Sequence, residues 1–159
     1  MRIEYGDGDF PSDAIRARFS RAAGEIQKSE GLSEGDKLEV GVRFVTEEQM
    51  RALNLEFRGK DLSTDVLSFP MYESAEEIRE AAASSVRMGA PETLIGDVVL
   101  CETVAARQAA EFGNTADQEL THLFVHSLLH LFGYDHERDE DYEEMRTKEK
   151  VIMEELDVK

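Results

Sequence analysis

Two hydrophobic periods run along this chain, and the switches between them mark its elements. From Lys37 to Val45 apolar and polar residues alternate strictly: Leu38, Val40, Val42 and Phe44 face one way, and Glu39, Gly41 and Arg43 the other. That period belongs to a strand with one buried face. Upstream, Arg2 to Tyr5 reads as a short strand closed by the turn-rich Gly6-Asp7-Gly8-Asp9. After Pro11 and Ser12, Ile15, Phe19, Ala22 and Ile26 recur at helical spacing. Thr46-Glu47-Glu48-Gln49 has the spacing of a capping box, which predicts a second helix carrying Met50, Leu53 and Phe57 inward. It gives way to an irregular turn, Arg58-Gly59-Lys60-Asp61, and then to a short strand from Asp65 to Phe69 ended by Pro70.

The second half continues the pattern. Residues Tyr72 to Thr93 are rich in Ala, Ser and Glu without a firm period, and are expected to form a mobile insertion with a short helix at Ala75 to Ala83. Leu94 to Cys101 predicts another strand, interrupted by Gly96-Asp97. A helix from Glu102 should stop near Gly113, and Thr115 to Gln118 repeats the capping-box spacing. The helix that follows is apolar around most of its circumference, through Leu120, Leu123, Phe124, Val125, Leu128, Leu129 and Leu131, and so belongs in the middle of a domain. The last helix, about Asp139 to Leu156, puts Tyr142, Met145, Ile152 and Leu156 on one side and acids on the other. The whole, residues 1–159, is expected to be one α+β domain without internal repeat or linker.

Composition narrows the functions open to such a domain. The net charge is −17, from 35 acidic and 18 basic residues, so the general surface does not suit wrapping nucleic acid. A polyanion must be gripped by a local positive site. The acid excess also fits adaptation to a salty cytoplasm, an idea that fails if molar salt changes neither stability nor solubility. Cys101 alone allows no internal disulfide and reads as a small buried hydrophobe at a strand end. No apolar run reaches membrane-spanning length and no signal pattern opens the sequence, so no membrane association and a cytoplasmic location are expected.

All four histidines fall between His122 and His136, in HLFVHSLLHLFGYDH. His126 and His130 stand four apart, one turn above the other on one helix face, so their rings can point at one place. Gly133 is placed to end the helix in a left-handed turn that lets the Tyr134-Asp135 reversal bring His136 back. Three imidazoles suggest a metal site with one coordination position free, as in catalytic zinc centres, although imidazole also suits nickel, cobalt and copper. His122, one turn upstream, reads as a supporting or packing residue, and Asp135 as a residue that orients a ligand or holds the turn. The protease signature places a glutamate after the first histidine; Ser127 stands there, which disfavours peptide hydrolysis. Arg58 and Lys60, with Asn54 one turn upstream, are either a solvated turn or an anion clamp, and spacing leaves both open. Gly96 marks close approach of another backbone, such as that of a substrate strand, while Asp65 and Asp97 act there or brace a loop.

Taken together these residues resemble a known family. The run His126-Ser127-Leu128-Leu129-His130-Leu131-Phe132-Gly133-Tyr134-Asp135-His136 is similar to the signature of the YbeY family of rRNA-maturation endoribonucleases. So are Leu53-Asn54 through Phe57-Arg58-Gly59-Lys60-Asp61 to Thr64-Asp65-Val66-Leu67-Ser68-Phe69-Pro70, and Ile95-Gly96-Asp97-Val98-Val99-Leu100-Cys101. Where Ser127 stands the family usually has glycine. The resemblance implies a zincin-like α+β domain with a small mixed four-stranded sheet, helices packed on it and a central buried histidine helix. It implies one zinc ion held by His126, His130 and His136, a part in activity for Arg58, and single-stranded RNA rather than DNA as substrate. The expected role is maturation of the 16S rRNA 3′ end and ribosome quality control, with the small ribosomal subunit and its proteins as partners. Arg58 and His126 are the expected catalytic residues, and Arg58, Lys60 and Asn54 the expected substrate contacts. The alternative is a ribosome-assembly binding factor with a structural metal and weak or absent catalysis.

Overall fold

A computed structural model describes residues 1–6, 11–33, 35–89, 92–135 and 138–157. Its order is β1 (Arg2–Tyr5), α1 (Asp13–Ser29), β2 (Leu38–Phe44), α2 (Glu47–Arg58), β3 (Val66–Pro70), α3 (Ala75–Met88), β4 (Thr93–Leu100), α4 (Glu102–Phe112), α5 (Ala116–Leu131) and α6 (Asp139–Asp157). The four strands form one mixed sheet in the order β1-β2-β4-β3. β1 and β4 run parallel to β2, and β3 is antiparallel to β4. The fold is α+β. The expected turn at residues 6–9 lies largely outside the described residues.

The local signals explain where the helices begin and end. Ser12 accepts from the Ile15 N–H at the start of α1. Thr46 with Gln49, and Thr115 with Gln118, make both bonds of a capping box, so each satisfies two otherwise orphaned groups. α2, α3 and α4 each end on a left-handed glycine: Gly59, Gly89 and Gly113. The helix expected at 75–83 runs on to Met88, is capped by Ser74, and buries Ile78 and Ala82. Pro70 is part of β3 rather than its terminator, because β3 pairs with β4 alone and an edge strand tolerates a residue with no N–H to donate.

The sheet lies between two apolar clusters. Ile15, Phe19 and Ile26 of α1 pack with Val40, Val42, Val98 and Leu100 against Phe124, Leu128 and Leu131 of α5. The rings of Phe19 and Phe124 stack at 4.2 Å. On the other side Met50, Leu67, Val99, Cys101 and Val104 form a smaller group. α5 contacts α1, α4, α6, β3 and β4.

One close approach sets the distance from sheet to α5. A Cβ on Gly96 would lie 2.5 Å from the Phe69 carbonyl and 2.9 Å from Leu131 Cδ2, and Gly96 has φ +149°. Ile95 is also an extra residue in the β2–β4 register. The backbone that comes close to Gly96 therefore belongs to β3 of this same chain. Asp97 lies across Gly41, where a Cβ would meet its Oδ1 at 2.1 Å.

Candidate functional site

A cleft of about 740 Å³ opens where the C-terminal half of α5 meets β3 and the loops around them. His126 and His130 line it, and Arg58, Asp65, Ser68 and Asp135 are among the other walls. Gly133 bends the chain there. It has φ +93°, and its N–H reaches the His130 carbonyl while the Tyr134 N–H reaches that of Leu129. This is the Schellman closure expected of a helix ended by glycine. A Cβ at Gly133 would stand 2.8 Å from the Glu73 carbonyl, so the turn is wedged against the loop between β3 and α3.

The turn fixes one imidazole. His130 Nδ1 donates to the Tyr134 carbonyl at 2.8 Å, and a carbonyl can only accept, so that nitrogen carries the proton. His126 Nδ1 is bonded to Glu149 of α6, which also meets His122 Nε2 at 3.3 Å. Burial works against ionising Glu149, but hydrogen bonds from His122 and His126 outweigh it and bring the carboxyl down to about 2. Glu149 is thus a carboxylate, and its hydrogen bond with His126 places the proton on Nδ1 of that ring as well. Its partner His122 is pushed up, first by the hydrogen bond to Glu149 and against the effect of burial.

In the neutral rings both Nε2 atoms present lone pairs, and they stand 3.1 Å apart with the ring planes at 83°. That spacing lets one cation, a metal ion or a shared proton, sit between them. Zinc–nitrogen bonds of about 2.0–2.1 Å put neighbouring nitrogens of a tetrahedral site about 3.3–3.4 Å apart. The donor set and spacing of His126 and His130 fit a metal ion. Among the described residues no group of three His, Cys, Asp or Glu side chains converges, and His136, the expected third ligand, lies outside them.

The structure sorts the remaining candidates. Arg58 is the last residue of α2, exposed in the cleft, and makes no hydrogen bond or ion pair among the described residues. Asn54 is only 3% exposed and donates its amide to the Leu62 carbonyl at 2.8 Å, behind the loop that follows Arg58. Lys60 is exposed and is not among the cleft's lining residues. Asp65 both braces its loop, accepting from the Val66 N–H, and lines the cleft. Ser127 is buried, and its hydroxyl bonds that of Ser68 at 2.5 Å, so a small residue there sets how closely α5 approaches β3.

Sequence reasoning missed Glu149 and Glu30. Glu149 lies four residues after Met145, on the core-facing stripe of α6, and an acid on an apolar stripe was the available signal. Glu30 is bonded to Lys148 and accepts from the Tyr134 hydroxyl at 2.9 Å, with its side chain only 4% exposed. It ties the end of α1 to α6 and to the residue whose carbonyl holds His130.

Comparison with known proteins gives a consistent set. The family model described as Endoribonuclease YbeY matches residues 2–157. A protein of Pelotomaculum thermopropionicum named Endoribonuclease YbeY is 40% identical over 141 residues, covering 89% of this chain and 86% of its own. One of the same name from Desulforamulus reducens is 44% identical, over 82% and 79% of the two chains. Another from Caldanaerobacter subterraneus is 47% identical, over 76% and 75%. The solution structure of a Thermotoga maritima protein superposes with a TM-score of 0.63 at 31% identity, covering 98% of this chain and 87% of that one.

Proposed function

The chain belongs to the YbeY endoribonuclease family, and on that premise we propose that it is a metal-dependent endoribonuclease that cleaves single-stranded RNA in the maturation of small-subunit rRNA. The observation that carries this reading is the pair of facing Nε2 atoms, 3.1 Å apart, in a cleft that Arg58 also lines. His126 and His130 hold the metal, and His136 is the third ligand. The ion is zinc, by ligand type, and the domain is zincin-like. When bound, the ion supplies Lewis acidity toward water and toward a phosphoryl oxygen at neutral pH.

The chain's own residues do the rest. Glu149 and the Tyr134 carbonyl keep a proton on each Nδ1, so both Nε2 atoms stay available as ligands. Arg58 is a guanidinium at the cleft edge with no bonded partner among the described residues. It binds the scissile phosphate through its fork of donors and offsets charge as the transition state forms. Asn54, expected to touch substrate, is buried and instead holds the loop beside Arg58, while Lys60 contacts RNA only at the cleft's margin. Ser127 sits where peptide hydrolysis would need a carboxylate.

A second reading is favoured by the net charge of −17, which suits basic ribosomal proteins better than naked RNA: an assembly or quality-control factor of the small subunit, with the metal as a strut. Its place is the cytoplasm; no described helix is long and apolar enough to cross a membrane. Single-turnover cleavage of a single-stranded RNA by untagged protein separates the two. Arg58→Ala should slow it about 100- to 1,000-fold, and His130→Ala should abolish both metal binding and cleavage. Cleavage that survives both changes would indicate a contaminating nuclease and leave the binding factor standing. Products ending in a 2′,3′-cyclic phosphate would assign the nucleophile to the RNA's own 2′-hydroxyl.

A further inference from the structure

A second cavity, about 590 Å³, lies between α5 and α6 and shares His126 with the cleft. Along α6, Tyr142, Met145, Arg146, Glu149, Lys150 and Met153 form one wall, with His122 opposite, and the Glu149 carboxylate in that wall is engaged by His122 and His126. Met145 is the buried floor. Tyr142, expected on the apolar side of the last helix, is 46% exposed at the mouth. Arg146 and Lys150, one turn apart, are exposed and make no ion pair among the described residues, although Glu143 and Glu154 stand a turn away on the same helix. On a chain of net charge −17, two uncommitted cations beside an open aromatic ring are a local positive site of the kind a polyanion needs.

We propose that the groove between α5 and α6 is a nucleotide subsite, which holds the base next to the scissile bond against Tyr142 and a neighbouring phosphate between Arg146 and Lys150. This rests on the reading of His126 as a metal ligand in an RNA-cleaving cleft, because a strand cut beside His126 has to continue along one of its two sides. The volume is that of a small-ligand site. An aromatic face with flanking cations binds any base by stacking and the backbone by charge, so recognition here is independent of sequence.

The test is direct binding of a short fluorescent 2′-O-methyl oligonucleotide to the full metal-loaded chain, with the probe shown intact afterwards. Placing a single abasic position at successive sites should reveal one where affinity falls about five- to 150-fold, the range for one stacked base. Tyr142→Ala should erase that difference. The Arg146→Gln, Lys150→Gln double variant should reduce the slope of log affinity against log salt by about 0.7, for one single-strand phosphate. All three positions are exposed enough to change without unfolding. A Tyr142→Ala protein that keeps the abasic penalty, or an unchanged salt slope, would overturn the proposal. So would a concentration-dependent dimer that Tyr142→Ala abolishes, which would assign the groove to a second copy. Failure of the catalytic reading shows elsewhere, as cleavage unaffected by Arg58→Ala, and the two failures are told apart.

Discussion

Removing the Glu149 carboxylate is the most informative single perturbation of the site. Its carboxyl stands at about 2 against an ordinary 4.5, a difference of about 2.5 pH units or about 3 kcal/mol of interaction favouring the charged form. Two histidines share that interaction. The share that acts on His126 holds the Nδ1 proton and aims Nε2 into the cleft. Glu149→Ala should weaken zinc affinity about tenfold, within the 10- to 100-fold range usual for a carboxylate behind a metal-bound imidazole. Competition with a chromophoric chelator measures this directly. Glu149→Gln, whose amide oxygen can still accept from Nδ1, should recover part of the loss. His122→Ala, which removes the other partner of the same carboxylate, should cost much less than Glu149→Ala. An unchanged affinity in Glu149→Ala would refute the assignment, because the Nδ1 proton would then be held by something else.

Other consequences can be checked alongside. Glu149 is depressed in the folded state, so its contribution to stability is complete above about pH 4.5 and is lost as pH falls through about 2. In metal-free protein the unfolding free-energy difference between wild type and Glu149→Gln should be greatest between about pH 4.5 and the range where His122, pushed up from 6.5 by Glu149, loses its proton, and shrink on either side; a difference that grows toward acid below pH 4.5 contradicts the assignment. Gly133→Ala should destabilise the chain by about 2–4 kcal/mol, from a left-handed backbone and a Cβ 2.8 Å from the Glu73 carbonyl, and thermal unfolding reads it. Lys148→Met leaves Glu30 buried without its cation and should lower the melting temperature by several degrees, and a neutral result would mean that the pair is slack.

Most element boundaries follow from local rules. Caps, left-handed glycines and the alternation of β2 act within a few residues, so sequence shows them. What it shows poorly depends on partners far along the chain. Phe57 was expected inward, yet it is 58% exposed and packs edge-on against Phe69, while Asn54, one turn after Met50, takes the buried place because the Leu62 carbonyl needs its amide. Tyr142 fits the apolar stripe of α6 by spacing, but the stripe's first turn overhangs the groove beside His122 instead of the core. Two imidazoles four apart were legible as a pair whose rings face one place. The carboxylate that aims one of them is 23 residues downstream, and the carbonyl that aims the other depends on a wedged glycine turn. Gly96 was legible as a close approach, but not which chain segment approached.

In the proposed site the Nε2 atoms of His126 and His130 jointly bind a cation while each Nδ1 keeps its proton. Imidazole 15N NMR of the metal-free chain titrated with zinc reads both nitrogens of each ring. Both Nε2 resonances should move to metal-bound positions at one equivalent, with His136 joining them, while the Nδ1–H signals of His126 and His130 persist. Zinc binding that leaves either Nε2 unshifted, or that ligates through Nδ1, would contradict it.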